Sequence, residues 1–211
     1  MQLNSPVDSN SYFIPLTDLD VPFSWNDYFG NDHPVEIDVG SGRGKFLVNS
    51  ALKYPEINYV GIEIDFREGH RAANRLQKRE MKNARVWGGD VKFALGRVIP
   101  ADSVSAIHVY FPDPWWKRKH RRRRIFTDQF VDLCARVLVP KGLMYSRTDV
   151  GEYFGVISSL MNHDSRFETL PLPEENTPKD DLDYRTSFEK KAHQAGTEIW
   201  RGLWRLKSPP N

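Results

Sequence analysis

The residues best placed to do chemistry lie between Phe111 and Ile125. Phe111-Pro-Asp-Pro-Trp-Trp116 is followed at once by Lys117, Arg118, Lys119, His120 and Arg121 to Arg124. Pro112 and Pro114 lack an amide proton and fix φ, so they hold Asp113 on a short, stiff loop. Seven of the eight residues from Lys117 to Arg124 are Lys or Arg, too dense for an ordinary solvated face. The run reads as a polyanion clamp beside a catalytic pocket, with a plain basic loop or a targeting patch as the bland alternative. Trp115 and Trp116 offer faces on which bases stack, worth roughly 1–3 kcal/mol each; one of the two is expected to pack in the core instead. An acidic loop fused to a phosphate-binding run points to an enzyme acting on nucleic acid.

A second cluster surrounds Gly40-Ser-Gly-Arg-Gly44. Glycines allow close backbone approach, and the helix that follows favours an acceptor group at its N-terminus. The spacing is G-x-G-x-G, and Lys45 spoils the dinucleotide fingerprint G-x-G-x-x-G. A merely structural turn is the alternative. Asp38 stands two residues before Gly40, Glu63 ends the second strand, Asp90 follows the third and Asp113 the fourth. These carboxylates are expected to line one crevice, because ligands of open α/β sheets bind at the carboxyl ends of the strands. Crowded carboxylates without metal-ligand spacing suit a cationic ligand rich in hydroxyls and amines. S-adenosylmethionine fits that description, and NAD, with its pyrophosphate, fits it poorly.

The elements that must position these groups alternate regularly. Strands are predicted at Val35 to Val39, Tyr59 to Ile64, Ala84 to Trp87, Val104 to Tyr110 and Leu143 to Ser146. Helices are predicted at Lys45 to Leu52, Phe66 to about Glu80, Val91 to Arg97, Ile125 to Leu138 with Thr127 as a possible cap, and Gly151 to Asn162. The alternation means a parallel sheet covered on both faces. The end differs: a long polar loop from Pro171 to Tyr184, the segment Thr186-Ser-Phe-Glu189, then a final strand from Thr197 to Trp204. Residues 1–33 form an arm, which Phe13, Phe23, Trp25 and Phe29 either pin to the domain or leave loose.

Composition sets outer limits. The net charge of +2 means that any attraction to nucleic acid must come from clustering. The single cysteine, Cys134, cannot form an intramolecular disulfide and reads as helix packing. Scattered histidines give no zinc-type spacing, so no metal is expected. No signal peptide and no apolar run of membrane-spanning length is visible, which points to the cytoplasm.

Five blocks occur in order: Asp38-Val-Gly-Ser-Gly-Arg-Gly44, Gly61-Ile-Glu63, Phe111-Pro-Asp-Pro-Trp115 with Lys117 and the basic run, Thr148-Asp149, and Thr186-Ser-Phe-Glu189. Over roughly residues 34 to 206 the chain resembles the bacterial tRNA (guanine-N(7)-)-methyltransferases. The resemblance implies a Rossmann-like class I methyltransferase fold in a domain spanning 34–211. Its α/β sheet would be mostly parallel and seven-stranded, with helices on both faces and an antiparallel C-terminal strand. The implied reaction moves a methyl group from S-adenosyl-L-methionine to nitrogen 7 of a variable-loop guanine in tRNA. Cofactor contacts are implied for Asp38, Gly40, Gly42, Gly44, Glu63, Asp90 and Asp113, with Asp113 also catalytic. Lys117, Asp149, Thr186, Ser187, Phe188 and Glu189 would touch the substrate nucleotide. Lys119, His120, Arg121, Arg122, Arg123 and Arg124 would lie along the RNA.

Two positions depart from the family pattern. Asp38 stands where Glu is usual, and Trp116 where Pro is common. Asp149 and Glu189 also have structural readings, as a helix cap and half of a capping box. The expected partner is tRNA, without membrane or metal, and the protein is expected to be a monomer or homodimer. A methyltransferase acting on another RNA atom and a non-catalytic RNA-binding protein remain the alternatives.

Overall fold

Val35, Ile37 and Val39 fill one face of β2 (Val35–Val39), and on the other face Asp38 is buried and Glu36 half-buried, so the strand is covered on both sides rather than amphipathic. Its parallel neighbour β3 (Asn58–Glu63) and the next strand, β4 (Ala84–Gly88), are buried at every residue. The computed structural model describes residues 12–174 and 184–208. The first eleven residues of the arm and most of the Pro171 to Tyr184 loop lie outside the described residues, as do the side chains of Arg118 and Arg121.

The chain divides into two compact units, one ending at Pro100 and the other starting at Ala101. In the first unit the strand order is β1-β4-β3-β2, all parallel, with β1 (Phe13–Pro15) at the edge. Helix α2 (Lys45–Lys53) follows β2, and α3 (Phe66–Gln77) follows β3. Asp65 starts α3, its carboxylate accepting from the amides of Arg67 and Glu68 at 2.9 and 3.3 Å. After β4 the short α4 (Val91–Phe93) widens into a π turn over Ala94–Val98.

The described part of the arm is built into this unit. Trp25, on α1 (Trp25–Phe29), stacks on Trp87 with centroids 5.3 Å apart. The Trp87 indole N–H donates to the Tyr28 hydroxyl at 2.9 Å. Phe13 fills the space that a Cβ at Gly69 or Gly88 would need, so these glycines admit the edge strand.

In the second unit β5 (Val104–Tyr110) pairs in parallel with β6 (Leu138–Thr148). Strand β6 then pairs antiparallel with β8 (Trp200–Leu206), and β8 with β7 (Phe167–Thr169). Helix α5 (Asp128–Val137) starts at Thr127, whose hydroxyl accepts from the Phe130 amide at 3.2 Å. Cys134 on α5 is fully buried, and burial pushes its thiol well above the usual range. Helix α6 is Gly151–His163 and α7 is Ser187–Ala195.

The described residues contain eight strands, so the expected seven is corrected. The three-residue β1 and β7 are too short to show a period of two, which is why the sequence hides them. Pro140-Lys-Gly142, expected as a turn before the strand, lies inside β6 as an irregularity where the partner register jumps from Leu138 to Leu143. Helix α7 was anticipated only through the capping-box spacing of Thr186 and Glu189, which does start it.

Candidate active site

The glycine turn leaves β2 with Gly40, Gly42 and Gly44 all at positive φ (72°, 52° and 71°). Their roles differ. A Cβ at Gly44 would come within 2.7 Å of the Ala72 Cβ, so Gly44 lets α2 and α3 approach. At Gly40 and Gly42 a Cβ would meet nothing within 4 Å, so the turn presents a bare, open backbone. Glu63 holds it in place: one carboxylate oxygen accepts from the Gly42 amide at 2.7 Å and the other from the Asp65 amide at 2.8 Å. The Ser41 hydroxyl is shielded from solvent without a hydrogen-bond partner among the described residues.

Asp38 is only 3% exposed, and among the described residues no hydrogen bond or ion pair answers its carboxyl. Burial, with the charge of Glu63 adding to it, pushes that carboxyl up from 3.8 to about 8. A buried acid beside an open glycine cradle is what a cationic ligand with donor groups would relieve. These residues therefore fit S-adenosylmethionine. Asp90 is exposed after β4, and its carboxylate accepts from the Lys92 amide at 2.7 Å, starting α4.

In the second unit the loop after β5 is fixed by its own aromatic and basic residues. The Phe111 amide donates to the Arg147 carbonyl at 2.7 Å, and both Phe111 and Trp115 take positive φ (52° and 43°). The Arg124 guanidinium donates to the Pro114 carbonyl at 2.7 Å and lies 5.3 Å from the ring centroids of both Trp116 and Tyr153. Arg123 lies 5.0 Å over Trp115. Neither tryptophan is a core residue, contrary to expectation: Trp116 is 46% exposed and Trp115 half-buried. Each has an arginine against one face, so the loop uses them as supports. Tyr153 is buried, which raises its hydroxyl pKa, and the nearby charge of Asp113 raises it further.

Asp113 is exposed on this loop and Asp149 is exposed just after β6. Because Tyr110 and Arg147 are register partners in a parallel pair, both carboxylates leave the same edge of the sheet. Asp149 does not cap α6, whose N-cap is Val150 without a side-chain bond. Among the described residues neither carboxylate has a hydrogen-bond partner. Lys117, Lys119, Arg122 and Arg123 are exposed and His120 is half-buried.

The Thr186 to Glu189 segment starts α7. The Thr186 hydroxyl accepts from the Glu189 amide at 3.0 Å. Glu189 is 5% exposed; its carboxylate accepts from the Arg185 amide at 2.5 Å and pairs with Arg147 at 2.7 Å. Thr186 and Glu189 are thus committed to seating the helix, leaving Ser187 and the 59%-exposed Phe188 facing outward. Phe188 stacks near Phe111 at 6.0 Å. Arg147 was missed from sequence. Its only signal was an arginine two residues after the apolar run Leu143 to Tyr145, where the strand continues to Thr148.

A family model described as "Putative methyltransferase" matches residues 32–202. A tRNA (guanine-N(7)-)-methyltransferase of Rhodopirellula baltica is 37% identical over 97% of this chain and 78% of its own. The chain belongs to the tRNA (guanine-N(7)-)-methyltransferase family. A second member, from Hydrogenovibrio crunogenus, is 35% identical over 88% of this chain and 77% of its own. The crystal structure of the 16S rRNA methyltransferase KamB superposes with a TM-score of 0.63 at 15% identity, covering 88% of this chain and 95% of that one. At that identity the likeness is one of fold, the Rossmann-like fold of S-adenosylmethionine-dependent methyltransferases. Among the described residues of this family member, no helix is long and apolar enough to cross a membrane, and no cluster of three metal-ligating side chains occurs.

Proposed function

We propose that the protein methylates nitrogen 7 of a guanine in tRNA, the variable-loop guanine, to give 7-methylguanosine. The observation that carries this reading is the pair Asp113 and Asp149: exposed carboxylates at the same sheet edge, without a hydrogen-bond partner among the described residues and next to a dense basic run. When bound, S-adenosylmethionine supplies a methyl group activated by a sulfonium. Asp38 and Glu63, with the open backbone of Gly40 and Gly42, are the groups that would hold it, and Asp90 is free to take a further contact with its second carboxylate oxygen.

Guanine nitrogen 7 carries no proton at neutral pH, so the chain needs no strong general base. Its residues align the acceptor, which supplies roughly 7–11 kcal/mol in favourable cases. They also neutralise the positive charge that develops on the ring, the part assigned to Asp113 and Asp149. Phe188 and Ser187 frame the base, Lys117 takes a phosphate or base oxygen, and Lys119, His120 and Arg122 follow the backbone.

The test is methyl transfer from labelled S-adenosylmethionine to an unmodified tRNA transcript, read by nucleoside mass spectrometry. The expected product is 7-methylguanosine, lost in Asp113→Ala. A different methylated nucleoside overturns the target atom. Binding of tRNA without any transfer overturns the enzymatic reading.

A further inference from the structure

The outward stripe of α3 carries a second basic surface, which the reading above leaves unused. Arg67, Arg71, Arg75 and Lys78 recur at intervals of four, four and three, so they share one side of the helix. The opposite side, Gly69, Ala72, Ala73 and Leu76, is buried, so packing does not require the cations. Arg43, from the glycine turn, joins them. Arg43, Arg71, Asn74, Arg75 and Lys78 line a hollow of about 300 Å³.

The cations in this hollow are oriented rather than splayed. Arg75 donates to the Arg43 carbonyl at 3.1 Å, and Arg79 donates to the Arg75 carbonyl at 3.2 Å. Glu68 accepts from Arg43 at 2.8 Å and from Arg71 at 2.5 Å, with Arg67 at 4.0 Å. One carboxylate therefore answers three guanidiniums, while Arg43 and Arg71 stay 59% and 47% exposed. Like charges brought this close repel one another, and an anion in the hollow removes that cost. The lining favours phosphate: guanidinium forks match its oxygens two at a time, and the Asn74 amide adds a donor. No apolar residue lines the hollow, so a lipid surface would meet only the aliphatic stems of its cations.

We propose that this hollow is a second RNA-backbone site, gripping phosphates of the substrate RNA through Arg71, Arg75 and Lys78 in addition to the run at Lys117 to Arg124. The site rests on the reading of the chain as an RNA methyltransferase. Because Arg43 belongs to the cofactor turn, the test uses Arg71 and Lys78, which do not touch that turn.

The experiment compares the wild type with an R71Q/K78Q variant for binding of full-length tRNA by fluorescence anisotropy, between 50 and 200 mM salt. Two lost phosphate contacts flatten the plot of log K against log salt by about 1.8. The wild-type advantage then shrinks about tenfold across that range. S-adenosylmethionine affinity and thermal unfolding stay unchanged, and KM for tRNA rises while kcat holds. An unchanged slope in a folded variant overturns the site and leaves the proposed function standing. Should the wild type methylate no RNA, the proposed function fails, and the binding slope still decides the hollow. Equal loss of binding to phosphatidylserine vesicles and to tRNA overturns its assignment to RNA.

Discussion

Asp38 gives the sharpest test of the cofactor site, because its predicament can be measured without any substrate. Substituting Asn keeps the shape and removes the titration. In the unfolded chain the carboxyl ionises near 3.8, and in the folded protein near 8. Between those values the folded state holds a proton that the unfolded state has released. Stability therefore falls as pH rises from about 4 to about 8 and levels off above it. At pH 7 the loss integrates to on the order of 4 kcal/mol, at 1.36 kcal/mol per pH unit. Asp38→Asn escapes it. Urea unfolding of both proteins at several values between pH 5.5 and 8.5, without cofactor, should show the variant gaining on the wild type by about 1.4 kcal/mol per pH unit, flattening near pH 8. A difference independent of pH refutes the argument. The same shift makes cofactor binding release protons: at pH 7 the free protein holds Asp38 mostly protonated, and a bound cation favours the ionised form. Calorimetry in buffers of different ionisation enthalpy should find close to one proton released by the wild type and none by Asp38→Asn.

Three further outcomes are expected. Arg147→Met should cost about 3–5 kcal/mol in thermal or urea unfolding, because it strands the buried Glu189 carboxylate; adding Glu189→Leu should restore most of that loss. Arg124→Ala should lower kcat with little change in the salt slope of tRNA binding, since Arg124 is tied to the Pro114 carbonyl; Arg122→Ala, at an exposed position, should flatten the slope by about 0.9 and spare kcat at saturating tRNA. Gly42→Ala should weaken S-adenosylmethionine binding, measured by calorimetry, while costing only about 1–3 kcal/mol of backbone strain. Gly44→Ala should cost more in unfolding, as its Cβ meets Ala72.

The central elements were legible because the strands β2 to β5 are short apolar runs and the helices that follow them carry helical spacing with plain start signals, down to the Thr127 cap, whereas β6 begins before the Pro140-Lys-Gly142 turn signal. The edges were not. Phe13–Pro15 becomes a strand because β4 offers it an open edge and Gly69 and Gly88 make room for Phe13, a tertiary fact with no local trace. Phe167–Thr169 is likewise a strand only by virtue of β8. The glycine turn and the Asp113 loop could be located from residue type and spacing. What the sequence could not say is which member of each cluster is free. Glu63 and Asp38 look alike on paper, yet Glu63 is spent on two backbone amides and Asp38 has no such bond.

The same division runs through the basic run, and it changes what the run is for. Read as charge, Lys117 to Arg124 is uniform. Read as geometry, Arg123 and Arg124 lie against the two tryptophans, and Arg124 also bonds the loop carbonyl after Asp113. A guanidinium does this where an ammonium would not, because its flat face stacks while its edge still donates. Lys117, Lys119 and Arg122 have no such tie among the described residues and stay exposed. The prolines stiffen the loop from within and the arginines brace it from outside, so the carboxylate of Asp113 is held by residues that would otherwise be counted as RNA contacts. On the proposed reading, affinity for a polyanion and the aim of the carboxylate fall to neighbouring arginines of one short stretch, and only substitution one residue at a time can separate them.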